Sequence, residues 1–197
     1  RAGYVRSDAE DSQMLFNDGV NLRYVEEGVK LPPKHQFLLT FEDGSHMVCT
    51  VQMYGGLLAF PRGAYDNDYY QVARDKPSPL TADFDESYFA ALVSQAPTKI
   101  SAKGLLATEQ RIPGLGNGCL QDILFAAGVH PQSKLSALSD EDLAALYRNT
   151  VGVLKDMTAQ GGRDTEKDLF SQAGGYATLM SNKTLGQPCP VCGGAVT

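Results

Sequence analysis

Hydrophobic positions along the chain change rhythm near its middle. In the first part they come as short runs bounded by turn residues. Gln13-Met14-Leu15-Phe16 and Val20-Asn21-Leu22-Arg23-Tyr24-Val25 flank Asn17-Asp18-Gly19, a tight-turn signal, and predict a first hairpin. Phe37-Leu38-Leu39-Thr40-Phe41 and His46-Met47-Val48-Cys49-Thr50-Val51 flank Glu42-Asp43-Gly44-Ser45 and predict a second, its later run in rough period-two alternation. Two hairpins imply an antiparallel sheet that must bury one face. Little chain precedes Arg1 to cover it, so a partial β-sandwich is expected, lacking residues upstream. From Arg62 to Pro79 the pattern is irregular, polar and aromatic, and reads as an interdomain linker closed by Pro77-Ser78-Pro79. Beyond it the period becomes helical, with a short helix over 85–93 and another over 118–127 carrying Leu120, Ile123, Leu124 and Ala127. The clearest helix spans about 140–160. Ser139 is its N-cap with Asp142 three residues later, Leu143, Leu146, Tyr147, Val151, Leu154 and Met157 form a stripe, and Gly161-Gly162 ends it.

Composition narrows the class. A chain of 197 residues, 43% hydrophobic, is long enough for one sizeable core or two modest ones. No apolar run reaches membrane-spanning length, and Arg1-Ala2-Gly3-Tyr4 has no signal-peptide character, so a soluble, cytoplasmic protein without a membrane partner is expected. The net charge of -6 speaks against a nucleic-acid partner. Its distribution softens that objection: residues 1–100 hold 9 Lys+Arg against 14 Asp+Glu, residues 101–197 hold 8 against 9. Four cysteines are too few for a disulfide framework, and Cys189 and Cys192 have knuckle spacing.

Ile112-Pro113-Gly114-Leu115-Gly116-Asn117-Gly118-Cys119-Leu120 is a glycine loop opening a helix. Glycines let a phosphate approach the backbone, free N–H groups at the helix start donate to it, and the dipole favours its charge. A bare Gly-x-Gly-Asn is more often the mark of a tight turn with an ordinary cap. Taken to His130-Pro131, with Lys103 upstream and Gly161-Gly162 downstream, the string resembles the helix-two-turns-helix element of the formamidopyrimidine-DNA glycosylase/endonuclease VIII family. The resemblance implies an α+β fold in three parts: a partial N-terminal β-sandwich over 1–76, the helix-two-turns-helix domain over 77–183, and the first half of a zinc-finger hairpin over 184–197. It implies that Asn117, aided by Gly116, contacts DNA phosphate, and that Lys103 lies near the lesion-bearing strand; a solvated surface lysine is its other reading.

Three further stretches take meaning from that frame. Pro188-Cys189-Pro190-Val191-Cys192-Gly193-Gly194 supplies two thiolates of a four-ligand zinc site. The family has a second cysteine pair and an arginine beyond, so the chain is expected to stop short of both, and zinc is expected in the full-length protein rather than here. Gln160 to Tyr176 matches a region that lies over the extruded base in relatives, which makes Arg163 and Thr165 candidate contacts, unless the loop's charges are merely solvated. Val51-Gln52-Met53-Tyr54-Gly55-Gly56 stands where relatives carry an arginine and an aromatic wedge; Tyr54 is the candidate wedge here, or an aromatic packed at a strand end.

The family's nucleophile, an N-terminal proline followed by glutamate, has no counterpart in Arg1-Ala2, and His35, His46 and His130 offer no substitute. The resemblance thus implies a bifunctional DNA glycosylase/AP lyase of base-excision repair acting on oxidised bases in damaged double-stranded DNA. This chain is expected to be a DNA-binding fragment of it, inactive by itself and self-associating through its open sheet. The alternative is a non-catalytic module gripping nucleic acid with the same loop, which the β-rich first half disfavours. A protein-interaction role for the acidic first half is a third reading.

Overall fold

The computed structural model describes residues 4–52 and 55–196. The chain forms two compact units, Arg1–Arg74 with Lys167–Ala173, and Asp75–Glu166 with Gly174–Thr197.

The first unit holds six strands: β1 (Val5–Asp8), β2 (Ser12–Phe16), β3 (Val20–Val25), β4 (Phe37–Thr40), β5 (His46–Val51) and β6 (Leu57–Pro61). They make two three-stranded antiparallel sheets, β1-β2-β6 and β3-β5-β4. The first expected hairpin does not form. β2 pairs with β1 and β6 while β3 pairs with β5, so Asn17-Asp18-Gly19 hands the chain from one sheet to the other. The reason lies in what the turn touches. Asn17 N donates to Gly56 O (3.0 Å), Gln52 N donates to Gly19 O (2.8 Å), and the Asn17 carboxamide oxygen accepts the Gly56 N–H. Gly19 has φ +91°, and a Cβ on it would meet Gln52 O at 2.7 Å, so the crossing needs glycine. The second hairpin forms as expected, with β4 and β5 in register from Phe37↔Cys49 to Thr40↔His46. Leu15 and Phe16 of one sheet and Val48 and Cys49 of the other are buried, and the rings of Phe16 and Phe37 meet edge to face at 6.0 Å.

The expected linker contains a helix, α1 (Asp68–Asp75). The Asn67 carboxamide accepts Tyr70 N (3.1 Å) at its start, and Ala73 is buried. Tyr65 stacks on Phe60 at 4.8 Å and meets Tyr70 at 5.5 Å, so aromatics scattered among polar residues anchor a helix whose apolar stripe is thin.

The second unit holds α2 (Glu86–Gln95), α3 (Ala102–Ala107), α4 (Asn117–Ala126), a 3-10 turn (Leu135–Ala137) and α5 (Asp140–Ala159). Phe89, Leu105, Leu106, Ile112, Leu120, Ile123, Leu124, Leu146, Val153 and Met157 belong to one core. α5 starts with a full capping box: the Ser139 hydroxyl accepts Asp142 N (3.1 Å) and the Asp142 carboxylate accepts Ser139 N (2.8 Å). It ends at Gly161 and Gly162, with φ +73° and +104°. No helix among the described residues is long and apolar enough to cross a membrane.

Candidate nucleic-acid interface

Two buried residues three apart, Ile112 and Leu115, pin the glycine loop and turn Pro113-Gly114 outward, Gly114 at φ +78°. Gly116 is the N-cap of α4 and has no side chain to close the helix start. The first-turn N–H groups therefore stand at the positive end of the helix without a side-chain acceptor, flanked by exposed Gly116 and Asn117. Lys103 is exposed on α3, a helix that packs on α4. The turn entering the loop is clamped. Glu109 and Gln110 are both left-handed (φ 53° and 46°), and the Arg111 guanidinium donates to Gly104 O and Thr108 O, each at 3.3 Å, and pairs with Glu109 at 2.6 Å. Lys76 Nζ adds a bond to Gln110 O at 2.8 Å. Sequence reasoning passed over Arg111 and Lys76, since their bonds go to backbone carbonyls that no side-chain pattern marks.

α4 also anchors the segment beyond α5. Asp122, fully buried, accepts Leu179 N (3.0 Å) and Met180 N (2.8 Å) and takes a hydrogen bond from the Tyr176 hydroxyl. Burial first, and the Asp122 charge second, push the Tyr176 phenol up to about 12. Arg163 lies over the first turn of α4, where a Cβ on Gly118 would overlap its guanidinium, and it pairs with Glu166. Asp164 N donates to Tyr176 O (2.9 Å), and Tyr176 N to Gly162 O (3.0 Å), closing the segment into a loop with two stems.

The tip of that loop, 167–173, belongs to the first unit. Its turn is self-held: the Asp168 carboxylate accepts Phe170 N (2.9 Å) and Gln172 N (2.8 Å). Leu169 O accepts Tyr24 N of β3 at 2.8 Å, and Phe170 meets Tyr24 with ring centroids 5.6 Å apart. Together they wall a cleft of about 670 Å³ that Arg23, Lys30 and Gln172 also line. Thr165 is exposed in the leading stem. Tyr54, the expected wedge, lies outside the described residues.

Cys189 and Cys192 form a folded knuckle, with Gly193 N donating to Cys189 O (2.9 Å). Backbone N–H groups of Cys192 and then Val191 lower the Cys189 thiol, the property of a metal-facing thiolate. A structural zinc needs four donors, and among the described residues no group of three or more His, Cys, Asp or Glu comes together. Burial pushes the thiols of Cys49 and Cys119 up.

The uncapped glycine loop and the helices around it match a known family domain. Residues 76–168 match the formamidopyrimidine-DNA glycosylase H2TH domain. Over 199 aligned residues the chain is 27% identical to a formamidopyrimidine-DNA glycosylase of Streptococcus agalactiae, covering 98% of this chain and 72% of that protein. A second relative of that name, from Mycoplasma mobile, is 33% identical over 120 residues, 59% of this chain and 42% of its own length. Among solved structures, a Lactococcus lactis Fpg bound to DNA with an abasic site superposes with TM-score 0.80 at 19% identity, over 99% of this chain and 72% of that one. MutM in complex with DNA containing carbocyclic 8-oxo-G superposes equally well, TM-score 0.80 at 20% identity, with the same coverage. Residues 76–168 thus carry an H2TH domain, and the chain as a whole is similar in sequence and fold to formamidopyrimidine-DNA glycosylases.

Proposed function

We propose that the chain is the DNA-gripping portion of a base-excision repair glycosylase with AP lyase activity on oxidised bases, and that damaged double-stranded DNA is its partner. The observation that carries this reading is the open start of α4, where Gly116 leaves the first-turn N–H groups uncapped beside exposed Asn117. DNA phosphate is the anion this arrangement suits, with Lys103 adding charge. Arg163 and Thr165 belong to the site through their place in the 160–176 segment, and Tyr54 through its place in the sequence Val51-Gln52-Met53-Tyr54-Gly55-Gly56. Bond cleavage in the family requires an N-terminal secondary amine, so these residues are assigned binding without Schiff-base formation. Cys189 and Cys192 would give a zinc hairpin half of its ligands. The proposed setting is the cytoplasm, on the nucleoid.

The test is fluorescence anisotropy with a duplex holding an abasic-site analogue over a salt series, paired with borohydride trapping on a true abasic site. Salt-dependent binding without trapping is the expected result. Loss of all salt-dependent binding would overturn the DNA reading, and covalent trapping would overturn the assignment of the nucleophile elsewhere. Self-association is also proposed, through edge strand β4, which exposes Leu38 and Leu39. A sedimentation coefficient independent of concentration would count against it.

A further inference from the structure

Glycine at two positions of the α4 start has two different causes. At Gly116 a Cβ would meet nothing within 4 Å, which leaves the approach to the helix start open. At Gly118 a Cβ would fall on the Arg163 guanidinium, with Nη1, Cζ and Nη2 as its three nearest atoms. Gly118 lies inside α4 and outside the left-handed region, so alanine would favour the helix there if the space were free. The seat for Arg163 is what glycine 118 provides.

The arginine is committed to this seat. Its side chain is only 16% exposed although it stands in a polar loop, and its Nη2 pairs with Glu166, whose N–H donates to Arg163 O at 3.0 Å. Directly beyond this closed unit the chain runs into the tip 167–173. The return stem is tight as well, since a Cβ on Gly174 would strike the Gly162 carbonyl.

We infer that Arg163 is a positioning residue: seated on Gly118, it fixes the stems of the 163–176 loop and so restrains the chain that runs between them. The inference deepens the DNA reading and rests on it only for what the tip would cover. Holding this loop is the part Arg163 plays in the proposed site.

The chain has no tryptophan, so Phe170→Trp introduces a single reporter at the tip, beside Tyr24. In that background, Arg163→Ala is expected to shift the emission to the red and lower its anisotropy without DNA present. Gly118→Ala should reproduce the shift, and the double variant should add nothing to either single one, because all three remove one contact. Thermal stability supplies a signature that a generic structural role lacks: Gly118→Ala lowers Tm when Arg163 is present and raises it in Arg163→Ala, where the seat is empty. Unchanged emission in folded Arg163→Ala, or a Tm raised by Gly118→Ala in both backgrounds, would overturn the inference. Should Arg163→Ala fail to fold, Arg163→Lys and Gly118→Ala carry the same readouts. Duplex binding by anisotropy is measured separately, so its absence would count against the DNA reading and leave the seat standing.

Discussion

A carboxylate in the middle of a helix, fully buried, is costly unless it is well supplied with hydrogen-bond donors. Asp122 meets that condition by holding the backbone of Leu179 and Met180 and the Tyr176 hydroxyl. Asp122→Ala leaves those donors without acceptors and is expected to cost about 2–4 kcal/mol in urea unfolding. A change within error would show that the 176–180 backbone finds other partners. Tyr176 makes a second prediction. Its folded pKa is raised to about 12, against about 10 for an unfolded phenol. The protonated phenol thus contributes stability that is complete below the unfolded value and lost as pH rises through the folded one. Tyr176→Phe should remove this alkaline loss of Tm and the last step of the phenolate absorbance titration. An unaltered titration would refute the assignment. Neither residue was legible in the sequence: Asp122 sits among Leu120, Ile123 and Leu124 as an ordinary polar interruption, and its ligands lie far along the chain. Asn117 and Gly116 were legible because their chemistry is local, a helix start read from consecutive residues.

Among the elements, α5 shows how capping shapes a boundary. Ser139→Ala removes the hydroxyl that accepts Asp142 N and should cost about 1 kcal/mol by chemical denaturation. The Ser139 N–H, and then its hydroxyl, hold the Asp142 carboxyl below its ordinary value. That contribution is present above the unfolded carboxylate pKa and lost as pH falls through the lowered folded value, so Asp142→Asn should flatten the acid side of the Tm profile. An acid limb as steep as in the parent would exclude the box as its source. This helix could be read from sequence because cap, stripe and terminal glycines agree. The first hairpin could not, because Asn17-Asp18-Gly19 states that the chain turns and not which strand it then joins. Gln52 and Gly56 decided that from a distance. α1 escaped notice since its anchor is the contact of Tyr70 with Tyr65, which itself stacks on Phe60.

For the molecule as a whole, a net charge of -6 means that affinity for a polyanion must come from a local arrangement. Under the DNA reading, Lys103→Gln should weaken duplex binding and reduce the slope of log K against log salt by about 0.9. Asn117→Ala, which removes no charge, should lower affinity with the slope unchanged. Equal slopes for the two variants would mean that Lys103 makes no phosphate contact. The return of 167–173 to the first unit was not legible in the sequence, since a polar glycine-flanked loop carries no mark of where it docks. That return bears on how the protein is made. The β-rich unit leaves the ribosome first, yet the piece that completes it, with the backbone bond from Tyr24 to Leu169, arrives only after the whole of α5 has been synthesised. The first unit must wait, incomplete, while the second is translated, so vectorial folding can finish neither unit before residue 173 has emerged.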